Sequence, residues 1–496
     1  MTAIKSLRHL VTVEPVSFLF FTSLFLQNGG GQQFIFYKLC YLEYNLTDVC
    51  WNLTLGQKMD QYQDIEDYTI SATAHWMIYM NLPLTIPAIF TTICFGGWSD
   101  KYGRKPMMII PAVGFLIMSI FQMFQVLRMD MPLGITLIGN FIAGMSGGFV
   151  TITFATFSYI ADITTKENRT LRIGILQSMT FSSSIVGLLT SGVIVQNREY
   201  GFLLLYCLIA LLNILIVVYT QFWLLESIGP NTDPYFQTIR TTEEKETETT
   251  SRPSEVSEIE CKTCFSDMWS PRNFKIVYRD VMKKRQHFDR FILFLLFVSL
   301  FILQMVLAGD NQMFALYAKD SFHLSPAQTG YFTASKNAVL FLFTVLGVWL
   351  LRKFNLNEMR CCSLSFIVFL SGYIGFSLAK SESTLWAMLI LLSPSGLVGG
   401  IIRGAISRTV GPDEQGSIFA AMSSMENLMV FVAAFMFNIL YPVTKDILNG
   451  GFVYFVMAEL LIIPLILTMW VGDLLKYTAA YKYMNEPANI VINPDL

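Results

Sequence analysis

The chain has 496 residues, 53% of them hydrophobic and 14% charged, with a formal net charge of −2. Soluble domains carry about 25% charged residues, so the composition excludes an ordinary soluble domain. The near-neutral balance gives no electrostatic basis for binding nucleic acid. Repeated apolar stretches of about 20 residues, the length that crosses a bilayer as a helix, mark an all-α, multi-pass membrane protein.

Twelve such spans are predicted, at 16–38, 73–97, 106–128, 132–161, 171–195, 201–225, 290–317, 326–351, 360–379, 384–409, 415–441 and 452–475. The polar lead MTAIKSLRHLVTVEP enters span 1 with no short apolar core or cleavage site, so no signal peptide is expected. Span 1 carries Gln27, Asn28, Gln32 and Gln33 around Gly29, Gly30 and Gly31. Four amides cannot all face hydrocarbon at tolerable cost. One reading makes them a cavity lining, with the glycines loosening or breaking the helix. The other is close helix packing through small residues. The amides favour the cavity. The loop 39–72 holds the sequons Asn45-Leu-Thr47 and Asn52-Leu-Thr54, and also Cys40 and Cys50. An external loop permits both glycosylation and a disulfide. In span 2, Pro83 and Pro87 follow His75, Tyr79 and Asn81 and predict a second irregular lining helix.

Six spans are followed by a polar stretch and six more. The expected domains are an N-terminal half (1–225), a largely disordered cytoplasmic linker (226–289), and a C-terminal half with a cytoplasmic tail (290–496). The linker centre, TIRTTEEKETETTSRPSEVSEIE, is acidic, Ser/Thr-rich and nearly free of large apolar groups. Its lone Cys261-Lys-Thr-Cys264 has no second pair, so no metal site is expected, and no cofactor either. Lysine and arginine set the orientation. Loops on one side carry Lys101, Arg104, Lys105, Lys166, Arg169, Arg172, Arg352, Lys353, Arg360 and Arg408, whereas the opposite loops mostly carry one cation each. Both termini are therefore expected in the cytoplasm, and the sequon Asn168-Arg-Thr170 is expected to be unmodified. Six plus six spans suggest two pseudo-repeats around a central cavity.

Charges within spans are functional candidates. Asp310 in span 7 and Lys336 in span 8 lie at similar depth, and Thr333, Lys336, Asn337, Leu340 and Thr344 share one face. A structural salt bridge is the alternative to a substrate contact. Arg403 lies on span 10 among Gly396, Gly399, Gly400 and Ser407, and Glu426 and Asn427 lie three turns into span 11. Arg403 is expected to meet Glu426 or a substrate anion.

After span 2 comes Gly96-Gly-Trp-Ser-Asp100-Lys-Tyr-Gly103-Arg104-Lys-Pro106. It resembles the G-x-x-x-D-x-x-G-R-[RK] signature of the major facilitator superfamily. The resemblance implies a cytoplasmic gate built on Gly96, Asp100, Gly103 and Arg104. Asp100 would meet the N-terminus of span 11, and Arg104 would meet Asp162 at the end of span 4. The matching turn of the second half, Gly347-Val-Trp-Leu-Leu-Arg-Lys-Phe-Asn355, lacks the aspartate. SYIADITTKENRTLRIGIL, FALYAKDSFHLSPAQTGYFTASKN and IIRGAISRTVGPDEQGSIFAAMSSMENL look like solute carrier family 46, the proton-coupled folate transporter-like family.

That resemblance implies a secondary active transporter of organic anions by alternating access, and not an enzyme. The implied substrates are folate- or pterin-like anions, muropeptides or cyclic dinucleotides, with proton symport. It also implies that Arg403 serves substrate and proton affinity. The family's coupling glutamate and histidine fall at Gln177 and Leu307, which cannot titrate, so Asp310 and Glu426 are the candidates for coupling. The alternative is a non-transporting receptor or scaffold on the same fold, which would bind without accumulating. The expected location is the plasma or lysosomal membrane. Tyr481-Lys-Tyr-Met484 in the tail resembles a tyrosine-based sorting signal.

Overall fold

The computed structural model describes residues 8, 11–55, 60–229, 232–238, 267–283, 285, 289–322, 324, 326–354, 356–445 and 447–485. The regular elements among them are helices. Eleven are long and apolar enough to cross a membrane by length and composition. Span 1, Glu14–Tyr44, is 31 residues long and completes the expected twelve, its hydropathy diluted by the amide and glycine run. Several helices continue past their apolar stretch. Span 2 covers Gln63–Tyr102 and span 7 covers Asp289–Phe322. A helix once nucleated extends into water at little cost per residue.

Spans 4 and 10 are each built from two helices. Span 4 divides into Thr136–Met145 and Gly148–Ile163, and span 10 into Glu382–Leu392 and Ser395–Thr409. The break in span 4 needs its glycines: Gly147 has φ +93 and Gly148 φ +57, a region L side chains rarely adopt. Span 2 stays one helix through Pro83 and Pro87. A proline removes one backbone donor, and Gly144 of span 4 packs where the carbonyls of Pro83 and Leu84 stand, with no room for a Cβ.

The first six spans pack among themselves, span 1 against spans 5 and 6 and span 3 against span 6. The last six do likewise, span 9 against span 12 and span 7 against spans 11 and 12. The two groups meet along spans 2 and 11, 5 and 8, 4 and 11, and 5 and 10.

One expectation is corrected. Span 1 is not broken at its glycines. Gly29 packs on Ser191 and Leu188 of span 5, and Gly30 on Leu205 of span 6, each without room for a Cβ. Gly29 and Gly30 let neighbouring helices approach, and the helix runs unbroken through them. The linker, expected to be largely disordered, has ordered stretches among the described residues. Its C-terminal part forms a helix, Pro271–Met282, capped by Ser270. That helix lies against spans 2 and 11. The acidic linker centre with Cys261 and Cys264 lies outside the described residues, as do the side chains of Tyr481–Met484.

Candidate functional site

At the basic end, span 2 runs into a buried charge cluster. Asp100 accepts the backbone N–H groups of Gly416 and Ser417, each at 2.8 Å, and the Ser417 hydroxyl at 2.8 Å. These are orphan donors at the start of span 11, Gln415–Thr444, where a carboxylate also meets the positive end of the helix dipole. Arg104 has 0% exposure and binds Asp100 at 2.8 Å, Asp162 at 2.9 Å and the Ser99 hydroxyl at 2.6 Å. Glycines make the fit possible. A Cβ on Gly416 would stand 2.0 Å from Arg104 Nη1, and one on Gly96 would stand 2.3 Å from Ala420. Gly103 turns the chain at φ +121, with Glu226 against it. Glu226 accepts the N–H of Arg104 at 2.8 Å. Burial pushes its carboxyl above the ordinary value, against the backbone donors of Arg104, Lys105 and Ser227 that hold it down.

The distinctive segment 403–420 is spent on this seam. Ser407 and Gln415 bond each other at 2.9 Å, and Gln415 also donates to the carbonyl of Ser407. Glu414 receives Lys283 and Arg285 from the linker. Phe419 stacks on Phe157 of span 4. Further links tie the two groups of spans: Arg169 donates to the carbonyl of Ser407 at 3.2 Å, and Arg408 binds Glu358 and Thr170.

Deeper, Arg403 is 4% exposed and joins three helices. It binds Glu426 of span 11 at 2.9 Å and Gln177 of span 5 at 2.8 Å, and its guanidinium lies over Phe157 at 5.1 Å from the ring centroid. The small residues beside it are packing surface: Gly400 comes against Gly174, Gly404 against Thr170 and Gly396 against Thr344. That close approach of spans 5 and 10 carries Arg403 to Gln177. Arg403 Nε and Asn427 Nδ2 are buried without hydrogen bonds.

A second cluster lies in the last six spans. Lys336 binds Asp310 at 2.7 Å and Asn311 at 3.4 Å. Asp310 is 2% exposed, whereas Asn311 is exposed. The hydroxyls of Tyr373 and Tyr454 face the Asp310 carboxylate from spans 9 and 12. Asn337 is half-buried beside Lys336.

In span 1, Asn28 and Gln32 are exposed and share a face, while Gln27 and Gln33 are half-buried. A helix turns about 100° per residue. Ile35 faces Met80 of span 2, Gly29 faces span 5 and Gly30 faces span 6. Asn28 and Gln32 therefore open between spans 2 and 5, away from span 6. Gln27 and Gln33 lie outside that face, and Gln27 Oε1 is buried without a partner. At the opposite end, Cys40 and Cys50 are joined with Cα atoms 5.6 Å apart. Asn45 is exposed and Asn52 half-buried.

Sequence reasoning missed Glu226, Gln177 as the partner of Arg403, the tyrosine pair over Asp310, and the linker cations on Glu414. Only Glu226, a lone acid directly after span 6, carried a local signal.

The family profile described as Major Facilitator Superfamily matches residues 40–434. The chain is 24% identical over 461 residues to the proton-coupled folate transporter of Bos taurus, covering 92% of this chain and 90% of the relative. It is 24% identical over 469 residues to the lysosomal proton-coupled steroid conjugate and bile acid symporter of Gallus gallus, covering 94% of each. The human organic anion transporter MFSD10 (TETRAN) shares the fold with a TM-score of 0.67 at 13% identity, over 93% of this chain and 99% of that one. The proton:xylose symporter XylE shares it with a TM-score of 0.64 at 13% identity, over 94% of this chain and 95% of that one.

Proposed function

Because this chain belongs to the Major Facilitator Superfamily, a multi-pass transporter fold and not an enzyme, we propose that it is a proton-coupled symporter of organic anions working by alternating access. Asp100, Arg104 and Asp162 form its cytoplasmic gate. Arg403, Glu426, Lys336 and Asp310 supply the charged groups of its path, with Asn28 and Gln32 lining the cavity. The chain folds as two six-helix halves, its termini are cytoplasmic, and it works in the plasma or lysosomal membrane. Folate and bile acids, named in its relatives, are organic anions.

The observation that carries this reading is Arg403. It holds Gln177 across the seam and Glu426 on its own side. Opening the seam toward the cytoplasm must break the first bond. An anion on Arg403 competes with the second. One buried cation thus answers both to the conformational state and to an anionic ligand, which is the coupling alternating access requires.

The test is uptake into cells expressing the protein, with labelled folate, taurocholate, a muropeptide and a cyclic dinucleotide offered at acidic and neutral external pH. Accumulation of at least one anion, raised by acid and lost in Arg403→Ala, is expected. Uptake by Arg403→Ala equal to the parent's overturns the role of Arg403. Binding without accumulation would mark a receptor on the same fold.

A further inference from the structure

We propose that Asp310 is the proton-binding site of this transporter, and that an anionic substrate loads it by drawing Lys336 away. The proposal rests on the symporter reading above and specifies where its proton resides.

Asp310 lies within span 7, about 18 Å along the helix from its end at Phe322. Its Oδ2 binds Lys336, while its Oδ1 is buried with no hydrogen bond of normal geometry. The Tyr373 and Tyr454 hydroxyls that face it are likewise buried without a hydrogen bond of normal geometry. A phenolic hydroxyl both donates and accepts. It can donate to the carboxylate, and it can accept from the carboxylic acid. The two phenols therefore offer Asp310 a partner of the right kind in either protonation state, as a site that gains and loses a proton needs.

Among the described residues, no second cation is paired with it. Tyr317 of span 7 donates to the carbonyl of Phe376 at 2.7 Å, and Tyr441 of span 11 adds a further neutral phenol. On spans 10 and 11, Arg403 and Glu426 hold each other, and Arg408 turns to Glu358. Lys336 is the cation paired with Asp310, at 2.7 Å.

Lys336 is also the group a substrate can reach. Its ammonium bridges from buried Asp310 to exposed Asn311. With Lys336 on Asp310 the pair is neutral. An anion added to that pair would leave a net negative charge in a medium of low dielectric, which is costly. An anion that takes Lys336 leaves Asp310 buried without a cation, and a carboxylate so placed binds a proton. The anion then balances Lys336, the proton balances Asp310, and the site is neutral again. One proton enters from outside for each anionic group bound. Release of the anion returns Lys336 to Asp310 and expels the proton.

Two measurements test this. The first needs no substrate: thermal unfolding of the purified full-length protein at acidic and neutral pH. In Lys336→Met, Asp310 loses its cation and is left buried, where the neutral acid is favoured over the carboxylate. Stability from that group is then present in acid and lost as pH rises. Lys336→Met is expected to unfold at a lower temperature at neutral pH than in acid, relative to the parent. Asp310→Asn/Lys336→Met is expected to lose that difference. Equal behaviour of Lys336→Met and the parent across pH overturns the proposal. The second is uptake of labelled folate and taurocholate. For a probe the parent accumulates, the acid-to-neutral ratio is expected to fall to about one in Asp310→Asn, against a ceiling of about tenfold per pH unit for one proton. It should fall partway in Tyr373→Phe/Tyr454→Phe. A parental ratio in Asp310→Asn overturns the proposal while leaving the symporter reading intact. If the parent accumulates neither probe, the reading fails for those anions, and the unfolding comparison decides the role of Asp310.

Discussion

Two buried ion pairs of this chain have the same chemistry and opposite architecture. Arg403–Glu426 sits on a seam, because its arginine also holds Gln177 from the other half. Asp310–Lys336 lies wholly within the last six spans, roofed by Tyr373 and Tyr454. A rocking motion of one half against the other strains the first and carries the second along unbroken. A seam pair can report which side is open. A pair inside one half can change only when a ligand or a proton changes it.

The largest expected effect comes from emptying the seam of its central cation. Arg104→Ala would leave the carboxylates of Asp100 and Asp162 buried without their cation. Breaking a buried pair in this way costs about 3–5 kcal/mol, read as a marked fall in unfolding temperature. An unchanged temperature would show that water reaches these carboxylates. Arg403→Ala removes the link between halves and strands Glu426. Uptake is expected to fall to background, and Arg403→Lys, with a single point charge in place of a fork, to recover only part of it. Equal loss in both variants would mean that fork geometry, and not charge, is what transport needs.

Smaller steps test whether the seam is a gate. Gly416→Ala places a methyl into the space of Arg104 Nη1 and Asp100. Overpacking of this kind costs about 1–3 kcal/mol. The variant is expected to raise labelling of a cysteine introduced at Ser407 by a reagent applied from the cytoplasm. Unaltered labelling would mean that the seam absorbs the methyl without opening.

The smallest effect concerns the linker helix. Asp280 has its carboxyl raised by burial, then by Glu414 nearby, with Arg279 opposing. A raised pKa in the docked state means that docking is strongest in acid and weakens as pH climbs through the shifted value. Hydrogen exchange of 271–282, corrected for intrinsic rates, is expected to quicken from acidic to neutral pH. Asp280→Asn is expected to flatten that trend. A parent that shows no trend would place Asp280 in water.

Much of this protein was set by local signals. Apolar length marks a span wherever it occurs, because backbone groups in hydrocarbon must be satisfied within the segment. Twelve spans and the fold class follow from that. Gly96, Asp100, Gly103, Arg104 and Asp162 were legible through the resemblance of this loop to a superfamily signature, since its charges alone read as no more than a basic loop. Asp310 and Lys336 were legible as a pair, since charges in apolar helices at equal depth have few partners to find.

What the sequence left open was decided by how helices rotate and approach. Periodicity assigns residues to a face but does not say which helix that face meets. Gly29 and Gly30 therefore allowed either a break or a close contact, and only the positions of Ser191 and Leu205 chose the contact. Gln177 reaches Arg403 across 226 residues of chain because glycines on spans 5 and 10 let two backbones nearly touch. Tyr373 and Tyr454 went unremarked in the sequence, because only the approach of spans 7, 9 and 12 brings their hydroxyls to one carboxylate. The linker helix, short and amphipathic, gave no apolar span to notice, and it packs against spans 2 and 11.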